Sequence, residues 1–154
     1  MGHSEDNKKT KIIPDLERII PDDLIAYSGR LFKEHIDRYN FAVPYVHNKM
    51  VADVACGSGY GSHLLASKGA KKVMGIDCDK KTIQYAKKRY SRYNVAYKVG
   101  DANNLSHTSV SIDAIVSFET IEHIKKPSEF LSEAKRVLKK SGILIISTPN
   151  KKYS

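Results

Sequence analysis

The segment Val51-Ala-Asp-Val-Ala-Cys-Gly-Ser-Gly-Tyr-Gly61 constrains the fold of this chain more than any other. An apolar strand runs directly into a turn with glycine at positions 57, 59 and 61. Glycine is needed where a chain leaves a buried parallel strand, turns sharply, and lets a ligand come closer to the backbone than a side chain would permit. The dinucleotide fingerprint G-x-G-x-x-G/A puts its last small residue where this chain has Ser62, so a pyrophosphate site is disfavoured.

Later segments repeat one pattern, an apolar run closed by a polar residue. Val73-Met-Gly-Ile-Asp77 places a carboxylate 18 residues after Gly59, the interval at which an acid closing the second strand can hold both hydroxyls of a ribose. Val95 to Val99 reads as a third strand, with Gly100-Asp101-Ala102 as its exit, and Asp101 can accept from an adenine amino group. Ile112 to Ser117 reads as a fourth strand ending in Phe118 and Glu119, and Gly142 to Thr148 as a fifth. These polar exits fall on one edge of a parallel sheet.

Four of these elements, in order and at matching intervals, resemble the class I S-adenosylmethionine-dependent methyltransferases over about residues 30 to 150. They are Asp53 to Gly61, Gly75-Ile-Asp77, Gly100-Asp101-Ala102, and Ile112 to Ile124 followed by Arg136-Val-Leu-Lys-Lys-Ser-Gly142. Within that family, Glu34-His-Ile-Asp-Arg-Tyr39 and Ser147-Thr-Pro-Asn150 look most like bacterial small-molecule methyltransferases. The resemblance implies an α/β, Rossmann-like, doubly wound and mostly parallel sheet of strand order 3-2-1-4-5. Residues 29–154 would form one S-adenosylmethionine-binding domain, preceded by a flexible tail and lead-in over residues 1–28 in which Pro14 and Pro21 bracket a short segment. It would lack the last two family strands, leaving Ile143 to Ile146 as an open edge to be covered by the N-terminal segment or by a second copy in a homodimer.

The same resemblance assigns residues to S-adenosyl-L-methionine and its product S-adenosyl-L-homocysteine. Asp53 would orient the methionine amino group, directly or through water, with Ala55, Gly57, Ser58 and Gly59 lining that moiety. Asp77 would clamp the ribose, while Cys78, Asp101, Ala102 and Phe118 would surround the adenosine. Arg38 matches a position where a cation meets the methionine carboxylate, the alternative being a surface ion pair. Apolar residues Leu31, Phe32, Ile36, Tyr39 and Val43 suggest a helix over 28–46, limited or bent by Pro44, that covers the cofactor.

Glu119, Glu122 and His123 stand at i, i+3 and i+4, so on a helix they would project together. Three uses follow. His123, with Glu119 beside it, could be the catalytic base for a hydroxyl acceptor. All three could ligate a divalent ion such as Mg2+, a pattern that resembles small-RNA 2'-O-methyltransferases and some quinone-pathway O-methyltransferases. Alternatively, Glu122 and His123 simply cap the turn after strand four.

Composition bears on partners. The net charge of +9 is concentrated between Lys68 and Lys98, where ten Lys or Arg face two Asp, a balance of +8. Asp79 is a good N-cap for a helix over about 80–92 whose Ile83, Ala86 and Tyr90 face the sheet and whose lysines occupy the other faces. That pattern reads as a solvated basic face, with contact to RNA as the competing reading and nucleic acid not the expected partner. No apolar run approaches the roughly 20 residues of a membrane span, so a cytoplasmic protein without membrane contact is expected. Cys56 and Cys78 are expected to be reduced thiols. The function expected is methyl transfer to an oxygen or nitrogen of a small polar acceptor. The alternatives are a catalytically silent cofactor-binding or oligomerising module, or an RNA-modifying enzyme.

Overall fold

The computed structural model describes residues 29–150, so the expected tail and lead-in over 1–28 lie outside the described residues. Five strands, β1 (Met50–Val54), β2 (Lys72–Asp77), β3 (Val95–Val99), β4 (Ile112–Phe118) and β5 (Leu138–Ser147), form one sheet of order β3-β2-β1-β4-β5. Every neighbouring pair is parallel, as the sequence predicts. The central strands carry near-continuous apolar burial because helices cover both of their faces.

Helices α1 (Gly29–Val46) and α2 (Tyr60–Ser67) supply one layer. Tyr39, Ala42 and Val46 recur at helical spacing and pack with Leu65 and Ala66 on Val51, Val73, Ala114 and Val116. Pro44 lies inside α1. It does not end the helix, which runs two residues further to Val46, because it deletes only one hydrogen-bond donor near the last turn. On the opposite face, α4 (Pro127–Val137) sets Phe130, Ala134 and Val137 on Ala52, Val54, Ile76, Ile112 and Ile115. Helix α3 (Lys80–Arg89) adds a smaller cluster of Ile83 and Ala86 with Cys56 and Tyr97. No helix among the described residues is long and apolar enough to cross a membrane.

Three boundaries differ from the sequence expectation. α3 ends at Arg89 rather than near residue 92, because the chain turns to bring Val95 beside Val73. α4 stops at Val137, and Leu138 is extended and pairs with Ile112 in β5. Four residues, 139–142, then bulge before Ile143 resumes pairing opposite Ala114, so the strand expected from Gly142 is the second part of a longer one. Phe130, Leu131, Ala134, Val137 and Leu138 read in the sequence as one core stripe on a helix over 128–139, but Leu131 is 43% exposed.

The register sets the ends of β1, β2 and β4 side by side, with Val54 opposite Ile76 and Asp53 opposite Val116. Strand order reverses between β1 and β4, and a crevice opens outside the carboxyl ends of the strands at such a switch point. The β1–α2 turn crosses it. Gly59 has φ +90, and a Cβ there would stand 2.6 Å from the Ala86 side chain and 2.8 Å from the Tyr97 ring. Tyr97 also donates its hydroxyl to the Gly59 carbonyl at 2.9 Å. Gly59 thus seats α2 against α3 and β3. The variant Gly59→Ala should lose about 2–4 kcal/mol, left-handed strain plus overpacking, measured by denaturant unfolding beside the parent chain.

Candidate functional site

A cavity of about 380 Å3 lies over the carboxyl ends of β1, β2 and β4. Ala55, Gly57, Asp77, Cys78, Asp101, Ala102 and Phe118 all line it. Seven of the residues that the sequence assigns to a cofactor are therefore brought together around one space. Its volume suits a nucleoside-sized ligand.

Asp77, at the end of β2, organises the near wall. One carboxylate oxygen accepts from the Gly57 backbone N–H at 3.0 Å and the other from the Asp79 N–H at 2.9 Å. Each oxygen keeps a further lone pair, so the group can still accept from ligand hydroxyls. Asp79 in turn caps α3 by accepting from the Thr82 N–H at 3.0 Å. Gly57 has φ +55 and open space where a Cβ would be, as close backbone approach by a ligand requires.

The neighbouring exit of β3 continues the lining, with the Gly100 N–H donating to the Asp77 carbonyl at 3.0 Å. Asp101 is exposed, and its carboxylate accepts from the Asn103 N–H at 2.8 Å. Asn103, which the sequence reading passed over, lines the same cavity with a buried side-chain oxygen that has no hydrogen-bond partner among the described residues. A buried acceptor without a donor is costly unless a ligand supplies one. Its only sequence signal is adjacency to Asp101-Ala102. Val54, Ile76 and Ile124 give the cavity its apolar surface.

Other expected contacts lie beneath this surface. Ser58 and Gly59 are buried and do not line the cavity. Asp53 is fully enclosed: Ser62 donates to it at 2.6 Å, and the Tyr39 hydroxyl lies 3.2 and 3.3 Å from its two oxygens. Burial pushes this carboxyl up to about 7, against the lowering effect of the two hydroxyls.

The fourth strand ends in a lock. Glu119 takes φ +51, a left-handed conformation unusual for this residue, and Ala55 at the end of the neighbouring β1 takes φ +62. The Glu119 N–H donates to the Ser147 carbonyl at 3.0 Å, and its carboxylate accepts from the Ser147 hydroxyl at 2.7 Å. Arg38 stands 3.4 Å from the same carboxylate. Arg38 therefore pairs with Glu119 and faces a second hollow between α1 and β5, not the main cavity.

This geometry corrects the expectation of a metal site. Residues 121–123 form one 3-10 turn, and the left-handed Glu119 precedes it, so Glu119, Glu122 and His123 do not share a helical face. Glu122 and His123 stand 3.7 Å apart, while Glu119 is turned to Ser147 and Arg38. Among the described residues no three His, Cys, Asp or Glu side chains are grouped so as to hold a metal ion. His123 and Glu119 both line the cavity, joined by Thr120, Lys125 and, from α1, His35. Burial and the neighbouring Arg38 hold the His35 imidazole below the usual histidine range.

Comparison with known proteins places the chain in a family. The sequence profile of a family described as "Methyltransferase domain" matches residues 52–146. A Mycolicibacterium smegmatis protein named as an S-adenosylmethionine-dependent methyltransferase is 33% identical over 135 residues, covering 88% of this chain and 51% of the relative. The ubiquinone biosynthesis O-methyltransferase of Pelagibacter ubique is 35% identical over 106 residues, covering 68% and 43% respectively. Among solved structures, the PH0226 protein of Pyrococcus horikoshii matches with a TM-score of 0.68 and 27% identity, covering 83% of this chain and 66% of that one. The chain spans about half the length of the curated relatives it matches. With the profile spanning both the glycine turn and the Glu119 lock, on a sheet of order β3-β2-β1-β4-β5, this chain belongs to the class I S-adenosylmethionine-dependent methyltransferase family.

Proposed function

We propose that the cavity binds S-adenosyl-L-methionine and that the protein transfers its methyl group to an oxygen or nitrogen of a small polar acceptor. The observation that carries this reading is the set of acceptors around one nucleoside-sized space: Asp77 at the end of β2, and Asp101 with the unpartnered Asn103 oxygen at the neighbouring exit of β3. Asp77 meets the ribose hydroxyls. Asp101 and Asn103 receive the adenine amino group. The Gly57 turn admits the methionine end, and Phe118 packs beside it.

The bound cofactor supplies an activated methyl on a sulfonium, so the protein's part is positioning, which alone can lower a barrier by about 7–11 kcal/mol when geometry is well matched. Thr120, His123 and Lys125 flank the remaining part of the cavity and form the acceptor side. His123 removes the acceptor proton there. Glu119 holds Arg38 and the end of β5 in place through one oxygen, Oε1, which Ser147 and Arg38 share. The O-methyltransferase relatives support an oxygen acceptor.

One observation favours a further role in association. Among the described residues β5 pairs on one side only, with β4, and Ile146 on it is 40% exposed. An apolar open edge of this kind favours pairing with a second copy. Light scattering should give a dimer that a charged substitution, Ile146→Lys, converts to monomer; a parent chain that is monomeric across the concentration range would remove the association.

Calorimetric titration with S-adenosylmethionine should give saturable binding that Asp77→Ala weakens by at least about tenfold, the loss of roughly 1.4 kcal/mol expected of a hydrogen-bonded carboxylate. NAD should not bind. Equal affinities in the parent and the variant would sink the assignment of Asp77.

A further inference from the structure

The cavity lies at the carboxyl ends of the strands, and part of the basic stretch between Lys68 and Lys98 gathers at their opposite ends. Because β1, β2 and β3 are parallel neighbours, the connections that enter them meet along one edge of the sheet. Met50 stands opposite Lys72, and Val73 opposite Val95. The Lys71 N–H donates to the Lys49 carbonyl at 3.0 Å, and the Val73 N–H to the Asn94 carbonyl at 2.9 Å. Lys68, Lys71 and Lys72, which lead from α2 into β2, are thereby set between Lys49 before β1 and Arg92-Tyr93 before β3.

No acid balances these three lysines. Asp77 and Asp79, the only acids between Val54 and Gly100, stand at the carboxyl end of β2. Asp113, at the start of β4, already accepts from Lys139 and from the Met50 N–H, each at 2.8 Å. Lys68, Lys71 and Lys72 are exposed and form no ion pair among the described residues. Like charges held together repel one another, and a polyanion relieves that repulsion. The cations at the end of α3 differ, because Lys87, Lys88 and Arg89 sit in the last turn, where they offset the helix dipole.

Asn94 gives this edge its order. Its side chain is buried and donates to the Ala66 and Ala70 carbonyls at 3.1 and 3.0 Å, which fastens the entry of β3 to the end of α2. Its side-chain oxygen accepts from Arg92 Nε at 2.9 Å, and the guanidinium so held lies 5.2 Å from the centre of the Tyr93 ring. Tyr93 is 91% exposed. An aromatic ring standing in water beside an oriented guanidinium and a row of lysines suits a nucleic-acid strand, whose unpaired bases stack while its phosphates follow the cations. A lipid surface calls instead for an apolar face to insert, and between Lys49 and Lys98 Tyr93 is the one large hydrophobic side chain that is exposed.

We propose that this edge docks single-stranded RNA, with a base stacked on Tyr93 beside Arg92 and the neighbouring phosphates on Lys68, Lys71 and Lys72. Proteins that read RNA chiefly engage its single-stranded segments, where bases are free to stack on aromatic side chains. Strands of five and six residues separate the edge from the cavity, a distance of about 17–20 Å. The docked strand therefore holds the protein from below and leaves the cavity open. The inference does not rest on the cofactor reading.

The test is fluorescence anisotropy of the full chain with a labelled oligouridylate over a range of salt concentrations. The parent should bind with log K falling linearly against log salt, at a slope of about −2 for three phosphate contacts on a single strand. Lys71→Gln combined with Lys72→Gln should flatten that slope by about 1.4. Tyr93→Ala should weaken binding at least about fivefold with the slope unchanged, while Tyr93→Phe should bind as the parent does. All three positions are exposed, so thermal unfolding of the variants should match the parent. No binding, or equal binding by the parent and Tyr93→Ala, overturns the inference. Tighter binding to the matching DNA strand or to vesicles of anionic phospholipid overturns it as well. Each of these results leaves the cofactor reading standing.

Discussion

The hydrogen bond from the Gly57 N–H to the Asp77 carboxylate ties the first strand's turn to the end of the second. Without it, the glycine turn would be a flexible excursion between β1 and α2. With it, the turn is fixed against β2, and the same carboxylate also accepts from the Asp79 N–H, where α3 is capped. One side chain therefore sets the relative position of three elements and also presents its remaining lone pairs to the cavity. On the proposed reading, structure and ligand recognition share the same two oxygens. A residue with these two duties tolerates little change, since even an amide would replace one acceptor with a donor facing the Gly57 or Asp79 N–H.

A second fixed point lies across the cavity. Glu119 adopts a left-handed backbone that costs on the order of 1–3 kcal/mol for such a residue, and long-range partners hold it there. Ser147 arrives from β5 and Arg38 from α1, so the strained residue joins the first helix to the last strand. Ala55, also left-handed, ends the neighbouring strand β1 and lines the same cavity. Strain at two adjoining strand ends is consistent with a site shaped for a ligand rather than for stability alone.

Much of the fold is legible in the sequence because each strand is a short apolar run closed by glycine or an acid, and that pattern suffices to place Asp77, Asp101 and Phe118 on one edge. Local periodicity fails where distant contacts decide. The Glu119, Glu122 and His123 spacing implies a shared face only if the segment is helical, and Ser147 and Arg38 prevent that. Leu138 reads as the last residue of a helical stripe, yet its pairing with Ile112 makes it the first residue of a strand. Asp53 reads as a ligand contact from its place in the motif. Its enclosure depends on Tyr39, 14 residues earlier, which no local pattern connects to it. Asn103 carries no motif of its own; only the unpartnered oxygen reveals it.

The central claim is that Asp77 and the β3 exit face one adenosine-binding cavity. A crystal structure of the chain grown with S-adenosylhomocysteine tests it most directly. The account predicts the ribose hydroxyls on Asp77, the adenine amino group between Asp101 and Asn103, and the homocysteine end running over the Gly57 turn. Ligand bound elsewhere, or ribose turned away from Asp77, would contradict it.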